Sequence, residues 1–250
     1  MRRVRRCREV LRMVVASSDI IVYDQLEACP YLASRAARLP MRLPLQPLSP
    51  DAFDVRLEAG DRRNGSYLYR ASCPDCAACE AIRVDVHRFR PNRTQRRIER
   101  RGETLFAVRV TRPIVDAQRV RLFNMHREKR GLAQTPEPVS IETYQAFLGE
   151  SCCDSWEIDY YREGQLVIVA ICDRGCRALS AVYSYYDTAV SCWSPGVFSI
   201  LTQMRLCREW GLRYLYLGYF IAESPHMSYK ARYLPHERLI DGRWQPFESV

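Results

Sequence analysis

Three cysteines at three-residue spacing point most directly to chemistry: Cys73, Cys76 and Cys79. A turn can direct such thiols at one centre, and thiolates are ligands that soft cations such as zinc prefer. The best candidate for a fourth ligand is Cys29, with the pair Cys152-Cys153 as an alternative. We predict a zinc or iron–sulfur site that is structural, because four thiolates leave no open position. The other interpretation is that these thiols are small buried apolar residues, as free cysteines often are.

A run of arginines is the second feature. Eight arginines fall within nineteen residues: Arg83, Arg88, Arg90, Arg93, Arg96, Arg97, Arg100 and Arg101. Guanidinium groups bind phosphates bidentately and stack on bases, and phosphate contacts supply most non-specific affinity for nucleic acid. The net charge of +9 agrees with a polyanionic partner. The run therefore predicts RNA binding. The alternative is a solvated face in a chain whose only lysines are Lys129 and Lys230.

Aromatic residues crowd the segment between residues 183 and 233. They are Tyr183, Tyr185, Tyr186, Trp193, Tyr214, Tyr216, Tyr219, Phe220, Tyr229 and Tyr233, with Asp187 among them. Aromatic side chains that carry hydroxyls can stack a terminal base and hydrogen-bond a ribose. For most of these residues the alternative is a tyrosine-rich core.

Composition and missing motifs exclude several classes of protein. The longest unbroken apolar run, Leu166–Cys172, is far too short to span a membrane. Residues 1–12 are basic and interrupted, unlike a signal peptide. The chain has no phosphate loop, dinucleotide fingerprint, nucleophile elbow or HExxH pair, so ATP-driven chemistry and hydrolysis are unsupported. Eleven cysteines without a sign of secretion indicate reduced thiols. We therefore expect a cytoplasmic protein with no membrane partner.

Hydrophobic periodicity and turn residues predict the elements of the fold. Helices are expected at Asp51–Gly60, Arg93–Arg101 (or an exposed basic loop), Asp116–Arg130, Ser140–Leu148 and Ser199–Trp210. Strands are expected at Ser66–Tyr69, Ala81–Val86, Thr104–Val110, Trp156–Tyr161, Gln165–Ile171, Leu179–Tyr185 and Tyr214–Leu217. The Pro-rich residues 29–50 predict an irregular or extended stretch. Together these predict an α+β fold with a mixed sheet. We divide the chain into a loose tail (1–19), a Cys- and Arg-rich N-terminal part (20–110) and a larger domain (111–250).

Several sequence blocks together resemble one family, the arginyl-tRNA–protein transferases, and more closely its short bacterial aspartate/glutamate leucyltransferases. The first blocks are Cys29-Pro-Tyr-Leu32, Tyr69-Arg-Ala-Ser-Cys-Pro-Asp-Cys-Ala-Ala-Cys79 and Pro91-Asn-Arg-Thr-Gln-Arg-Arg97. The later blocks are Leu179-Ser-Ala-Val-Tyr-Ser-Tyr-Tyr-Asp187, Tyr214-Leu-Tyr-Leu-Gly-Tyr219 and Met227-Ser-Tyr-Lys-Ala-Arg-Tyr233. They occur in family order. The segments Met125–Gly131 and Cys192–Gly196 depart from the leucyl members, which leaves leucine or arginine open as the donor amino acid.

The resemblance implies a reaction and a fold. The aminoacyl ester on the terminal adenosine of charged tRNA is attacked by the α-amine of a protein that begins with Asp or Glu. The new peptide bond marks that protein for degradation under the N-degron pathway. The C-terminal domain is implied to be acetyltransferase-like (GNAT-type), with charged tRNA in place of acetyl-CoA. No cofactor is required for transfer, because the ester is already activated.

Site roles follow as hypotheses from the matching blocks. The cations Lys230 and Arg232 are expected near the acidic side chain of the acceptor protein or the phosphates of the tRNA. Further substrate-binding residues are Tyr219 and Tyr229. The residues expected to orient the amine or relay its proton are Tyr183, Tyr186 and Asp187, with a structural Asp at a strand end as the alternative for Asp187. The residues assigned to the tRNA are Arg93, Gln95, Arg96, Arg97, Arg100 and Arg101.

Two other functions compete with this interpretation. An acetyl-CoA-dependent N-acetyltransferase is disfavoured, because Pro195-Gly196 precedes a helix without the Gly-rich turn that cradles a pyrophosphate. A non-catalytic RNA-binding module would explain the cysteines and arginines, but it would not explain the aromatic blocks or the block around Lys230.

Overall fold

The computed structural model describes residues 19–132, 135 and 137–248, so the predicted tail lies outside the described residues except for Asp19. The strands are β1 (Asp19–Tyr23), β2 (Leu26–Ala28), β3 (Ala36–Arg38), β4 (Met41–Pro44), β5 (Arg62–Asn64), β6 (Tyr67–Tyr69), β7 (Glu80–Asp85), β8 (Ala107–Thr111), β9 (Ser155–Arg162), β10 (Gln165–Arg174), β11 (Ala178–Tyr186), β12 (Tyr214–Phe220), β13 (His236–Ile240) and β14 (Arg243–Phe247). The helices are α1 (Pro50–Glu58), α2 (Arg93–Leu105), α3 (Ala117–Lys129), α4 (Ile141–Tyr144), α5 (Pro195–Glu209) and α6 (Pro225–Ser228). Within these described ranges, no helix has the length and apolar character needed to cross a membrane.

One large mixed sheet organises the fold. Its eight strands lie in the order β14-β13-β7-β12-β11-β10-β9-β8. The pair β11 and β12 is parallel, with α5 as the crossover between them, and the neighbouring pairs are antiparallel. This arrangement confirms the predicted α+β, acetyltransferase-like fold. A smaller sheet of order β1-β4-β6-β5 lies in the N-terminal part.

Both faces of the large sheet are covered, which explains the continuous apolar run of β10. Alternate side chains of a strand point to opposite faces. Ile168 and Ala170 belong to the cluster that includes α5, whereas Val169 and Ile171 pack with residues of α3 and α4. A strand buried on both faces does not alternate in sequence, so its apolar residues run together.

Helices α2 and α5 pack closely through a glycine. A Cβ added to Gly102 would lie 2.2 Å from the ring of Phe198. The missing Cβ therefore leaves room for the Phe198 ring. Helix α2 continues to Leu105, so the strand predicted to begin at Thr104 begins instead at Ala107. Helix α5 likewise begins four residues before its predicted start, at Pro195, a residue suited to the first turn because its missing N–H needs no partner.

Most other predicted elements are confirmed within a few residues. Helix α4 begins after the predicted cap Ser140, whose side chain accepts from the backbone N–H of Thr143, and a π-helical turn then continues to Gly149. The Pro-rich residues 29–50, predicted to be irregular or extended, contain the short strands β3 and β4. Strands β1, β2, β5, β13 and β14 were not predicted.

The N-terminal part and the larger domain share the large sheet. Strand β7 lies between β12 and β13, although it belongs to the N-terminal part in sequence. The predicted boundary after residue 110 falls within β8, which is hydrogen-bonded to β9. The two predicted parts therefore both contribute strands to the large sheet.

Candidate active site

A fork opens where the two parallel strands separate. Strands β11 and β12 are paired only over three residues each, from Ala178 to Ser180 and from Tyr214 to Tyr216. Beyond that point the register of β11 shifts at Val182, and Gly218 of β12 has a φ of +86°. Ligands of open sheets bind in the crevice at the carboxyl ends of parallel strands, where neighbouring strands part. We take this fork as the candidate active site.

Arg62 of β5 fills the base of the fork. Its Nη1 donates to Ser180 Oγ at 3.1 Å and its Nη2 donates to the Ala181 carbonyl at 2.8 Å. A Cβ on Gly218 would lie 3.1 Å from Nη2, so the glycine leaves room for the guanidinium. Arg62 is 9% exposed. Sequence reasoning did not single out this arginine.

Lys230 lies beside Arg62 and is also buried, at 7% exposure. Its Nζ donates to the Tyr219 carbonyl at 2.7 Å and contacts Met227 Sδ at 3.1 Å. Burial, reinforced by the positive charge of Arg62, lowers the pKa of Lys230 to about 7. Among the described residues, neither cation forms an ion pair with a carboxylate. The fork therefore holds a buried guanidinium and a buried lysine that have no carboxylate partner among the described residues, an arrangement that favours an anionic ligand.

Tyr219 connects Lys230 to the N-terminal part of the chain, and Tyr229 lies next to Lys230 in sequence. The Tyr219 hydroxyl accepts a hydrogen bond from the Ala71 N–H at 3.0 Å, and its ring packs edge-on against Tyr69. Burial raises the pKa of Tyr219 well above its usual range. Tyr219 thus joins the N-terminal part to β12, and its carbonyl orients Lys230. Tyr229, which precedes Lys230 in the chain, is 38% exposed as a whole residue, although burial raises the pKa of its hydroxyl.

The three residues predicted to handle the amine are not all together. Tyr186 and Asp187 lie at the end of β11, but Tyr183 points to the opposite face, where it packs with Phe123 and Phe147. Strand alternation separates the two tyrosines, because they are three residues apart. The Asp187 carboxylate accepts from the Ala189 N–H at 2.9 Å and caps the 3₁₀ turn Thr188–Trp193.

His126 of α3 supports the end of β11 and was not assigned a role from the sequence. Its Nδ1 lies 3.0 Å from the Tyr186 carbonyl oxygen and 3.2 Å from the Tyr186 nitrogen. The two rings meet edge to face at 4.4 Å. Burial lowers the pKa of His126, which favours the neutral imidazole. His126 therefore fixes the position of Tyr186.

Helix α2 is joined directly to the segment that carries Lys230. Asn92 and Gln95 form a reciprocal capping box at its start. Gln95 is buried, and its Nε2 donates to the Arg232 carbonyl at 3.3 Å. The remaining predicted tRNA residues lie exposed on α2: Arg93, Arg96, Arg97, Arg100 and Arg101. The Arg232 side chain is also exposed. The basic helix and the Lys230 segment thus adjoin one another.

The four predicted metal ligands, Cys29, Cys73, Cys76 and Cys79, are all partly buried. All but Cys73 pack against one apolar cluster, and Cys73 is an electrostatic neighbour of Cys79. Burial and the neighbouring thiols raise the pKa of Cys79 to about 12, and Arg35 Nη1 donates to Cys76 Sγ at 3.3 Å. In the ranges that the structure describes, no three His, Cys, Asp or Glu side chains are grouped closely enough to hold a metal ion. Metal binding by these thiols stays a prediction.

Comparison with known proteins gives the family to which a chain with this fold and this fork belongs. Residues 27–97 match the family described as "Arginine-tRNA-protein transferase, N terminus", and residues 118–240 match its "C terminus" counterpart. The chain belongs to this family of aminoacyltransferases.

Curated relatives agree with the family. An aspartate/glutamate leucyltransferase of Chromobacterium violaceum is 37% identical over 217 residues, which cover 87% of this chain and 89% of that protein. One from Thiobacillus denitrificans is 37% identical over 221 residues, which cover 88% and 92%. Among solved structures, FemX is similar with a TM-score of 0.47 and 10% identity, over 82% of this chain and 81% of that one.

Proposed function

We propose that this aminoacyltransferase moves leucine from charged tRNA to the α-amine of proteins that begin with Asp or Glu. Leucine is favoured over arginine because the relatives at 37% identity are leucyltransferases. The partners are then charged tRNA and proteins with acidic N-termini, which the transfer marks for degradation. A cytoplasmic location follows from this proposal, because charged tRNA is a cytoplasmic substrate.

The reaction needs positioning more than activation. The neutral amine attacks the ester carbonyl, a C–N bond forms, and the C–O bond to the terminal ribose breaks. One proton passes in net from the amine to the ribose oxygen. An α-amine has a pKa of about 7.7–8.0, so much of it is neutral near pH 7.5. Holding the amine against the ester supplies a large part of the rate.

The buried pair Lys230 and Arg62 is the observation that supports acidic acceptors. The charge of Arg62 and the protonated form of Lys230 are costly without a countercharge, and an entering carboxylate would supply the missing partner and stabilise the ammonium form of Lys230. An ammonium group has three donors. In Lys230 one donor reaches the Tyr219 carbonyl and a second faces Met227 Sδ. The third is left for a carboxylate oxygen of the acceptor protein.

The exposed arginines of α2 suit the donor tRNA. They stand on the outer face of a helix whose inner face packs on α5. Guanidinium groups on such a face can contact phosphates without rearrangement of the core. Because Gln95 joins α2 to the Lys230 segment, a tRNA held on α2 would place its 3′ end near the fork.

A transfer assay tests the proposal. The protein is incubated with tRNA charged with labelled leucine, or separately with labelled arginine, and with peptides that differ only in their first residue. We expect label from leucine on peptides that begin with Asp or Glu, and far less on a peptide that begins with Gln. Transfer from arginyl-tRNA alone would replace the proposed donor. No transfer from either tRNA, with the protein folded, would contradict the proposed function.

A further inference from the structure

Trp193 is a half-buried indole with two guanidinium groups near its ring. Its ring centroid is 4.1 Å from the guanidinium carbon of Arg162 at the end of β9, and 5.9 Å from that of Arg101 on α2. Phe106 meets the indole edge to face at 6.2 Å, which fixes it from the side of the core. Arg162 also forms an exposed ion pair with Glu163 at 3.1 Å. The cluster Arg101–Trp193–Arg162 thus presents an anchored aromatic ring flanked by positive charge.

The turn that carries Trp193 is held firmly. Asp187 caps it by accepting from the Ala189 N–H, and the Val190 N–H donates to the Asp187 carbonyl at 3.0 Å. At its other end the Ser194 N–H donates to the Ser191 carbonyl at 3.0 Å. A ring that is already fixed loses little conformational entropy when a ligand stacks on it.

The Arg101–Trp193–Arg162 cluster lies close to the fork, unlike a second cluster of similar composition. Trp193 follows the carboxyl end of β11, the strand that forms one side of the fork, and adjoins the basic face of α2. A second cluster of Arg112, Trp156, Trp210 and Arg174 lies at the far end of α5. There Asp154 accepts hydrogen bonds from both Arg112 and Trp156, which offsets positive charge.

We propose that the Arg101–Trp193–Arg162 cluster holds the single-stranded 3′ end of the donor tRNA, by stacking an unpaired base on the indole and contacting its phosphates through the two arginines. Bases in single strands stack on aromatic side chains, and flanking arginines add phosphate and cation–π contacts. The inference rests on the proposed function, because it assigns part of the donor site.

The test measures the affinity of uncharged tRNA with its 3′-terminal CCA intact, and of the same tRNA with the CCA removed. Wild type should prefer the intact tRNA by about tenfold, as expected for stacking of one base. Trp193→Leu retains apolar contact with Phe106 but removes the stacking surface. The preference for intact over trimmed tRNA should therefore fall below about threefold, while affinity for the trimmed tRNA stays unchanged. Trp210→Leu is the matched control and should keep the wild-type preference.

Tryptophan fluorescence provides a second readout that does not depend on a destabilising change. Binding of a short RNA that ends in CCA should quench wild-type emission, and Trp193→Phe should remove most of the quenching while binding persists. A Trp193→Leu protein that keeps the preference for intact tRNA would overturn the inference. So would equal loss of affinity for both tRNAs, or a higher KM for the acceptor peptide with the CCA preference intact.

The two proposals fail separately. If wild type transfers leucine but Trp193→Leu retains its CCA preference, only the inference about Trp193 is wrong. If the CCA preference depends on Trp193 but no amino acid is transferred, only the proposed function is wrong.

Discussion

The side-chain amide of Gln95 donates to the backbone carbonyl of Arg232 at 3.3 Å, and this bond joins two parts of the chain that are far apart in sequence. One is the arginine-rich helix α2, and the other is the turn that carries Lys230. The proposed function depends on this adjacency, because the donor tRNA is assigned to α2 and the acidic acceptor to Lys230. If α2 and the Lys230 turn lay on opposite sides of the molecule, they could not bind the two substrates of one reaction.

Removal of this bond should impair transfer more than folding. Gln95→Ala loses the contact with Arg232 and one half of the capping box, whereas Asn92→Ala loses only the cap, at a cost of about 1 kcal/mol. We expect kcat/KM for transfer to fall about tenfold in Gln95→Ala and less than about twofold in Asn92→Ala, a difference of about 1 kcal/mol in transition-state stabilisation. Steady-state kinetics and thermal unfolding compare the two variants. Equal effects in both assays would show that the bond to Arg232 has no part in catalysis.

Arginines on the outer face of α2 should govern affinity for tRNA. Replacing Arg96 and Arg97 together with Gln should weaken tRNA binding and lower the slope of log affinity against log salt by about 1 to 2. Arg243→Gln, at the exposed edge strand β14, is the control and should leave the slope unchanged. Binding titrations between about 50 and 200 mM salt measure the slope. An unchanged slope in the double variant would remove α2 from the interface.

The pH dependence of transfer should report the titration of Lys230. Its pKa of about 7 in the fold lies far below the usual 10.5, and a bound carboxylate raises it again. Binding of an acidic acceptor above pH 7 therefore takes up a proton, so affinity falls as pH rises. The α-amine must be neutral, with a pKa of about 7.7–8.0, so kcat/KM for a Glu-ended peptide should pass through a maximum between the two values.

An Ala-ended peptide provides the control for this profile. It offers no side-chain carboxylate, so its low kcat/KM should rise with pH and then level off as the amine is deprotonated. The same alkaline decrease for both peptides would mean that another group is responsible.

Asp187 should act by capping rather than by proton transfer. Its carboxylate accepts from the Ala189 N–H, and an amide oxygen can do the same. Asp187→Asn is therefore expected to keep transfer within about twofold of wild type, whereas Asp187→Ala should lose about 1 kcal/mol of stability and part of its activity. A folded Asp187→Asn protein without activity would instead assign the carboxylate to proton transfer.

The sequence predicted those parts of the fold that depend on local pattern. The apolar run of β10 and the aromatic strand β12 were predicted because burial on both faces is visible in composition. The insertion of β7 between β12 and β13 was not, because strand pairing across more than a hundred residues leaves no local signal. The continuation of α2 past its predicted end at Arg101 was not predicted either, because the packing of Phe198 on Gly102 is a long-range contact.

The candidate site was predictable only in part. Lys230 stood out as one of two lysines, but Arg62 is one arginine among many. Only the fold shows that Arg62 is buried and has no carboxylate partner among the described residues. Strand alternation predicts that Tyr183 and Tyr186, three residues apart on β11, point to opposite faces of the sheet. His126 gave no such signal, because a lone histidine on an amphipathic helix is most often a core residue.

Discrimination between acceptors that differ only in charge tests the role of Lys230 most directly. The ratio of kcat/KM for Glu-ended over Gln-ended peptides is measured in wild type, in Lys230→Met and in Lys129→Met. Lys129 is the control because it is the other lysine and lies at the exposed end of α3. A charge-assisted hydrogen bond contributes about 1.5–3 kcal/mol, so Lys230→Met should lower the ratio at least tenfold while Lys129→Met leaves it unchanged. A folded Lys230→Met enzyme that still prefers Glu over Gln as strongly as wild type would contradict the assignment of the buried cations to the acceptor carboxylate.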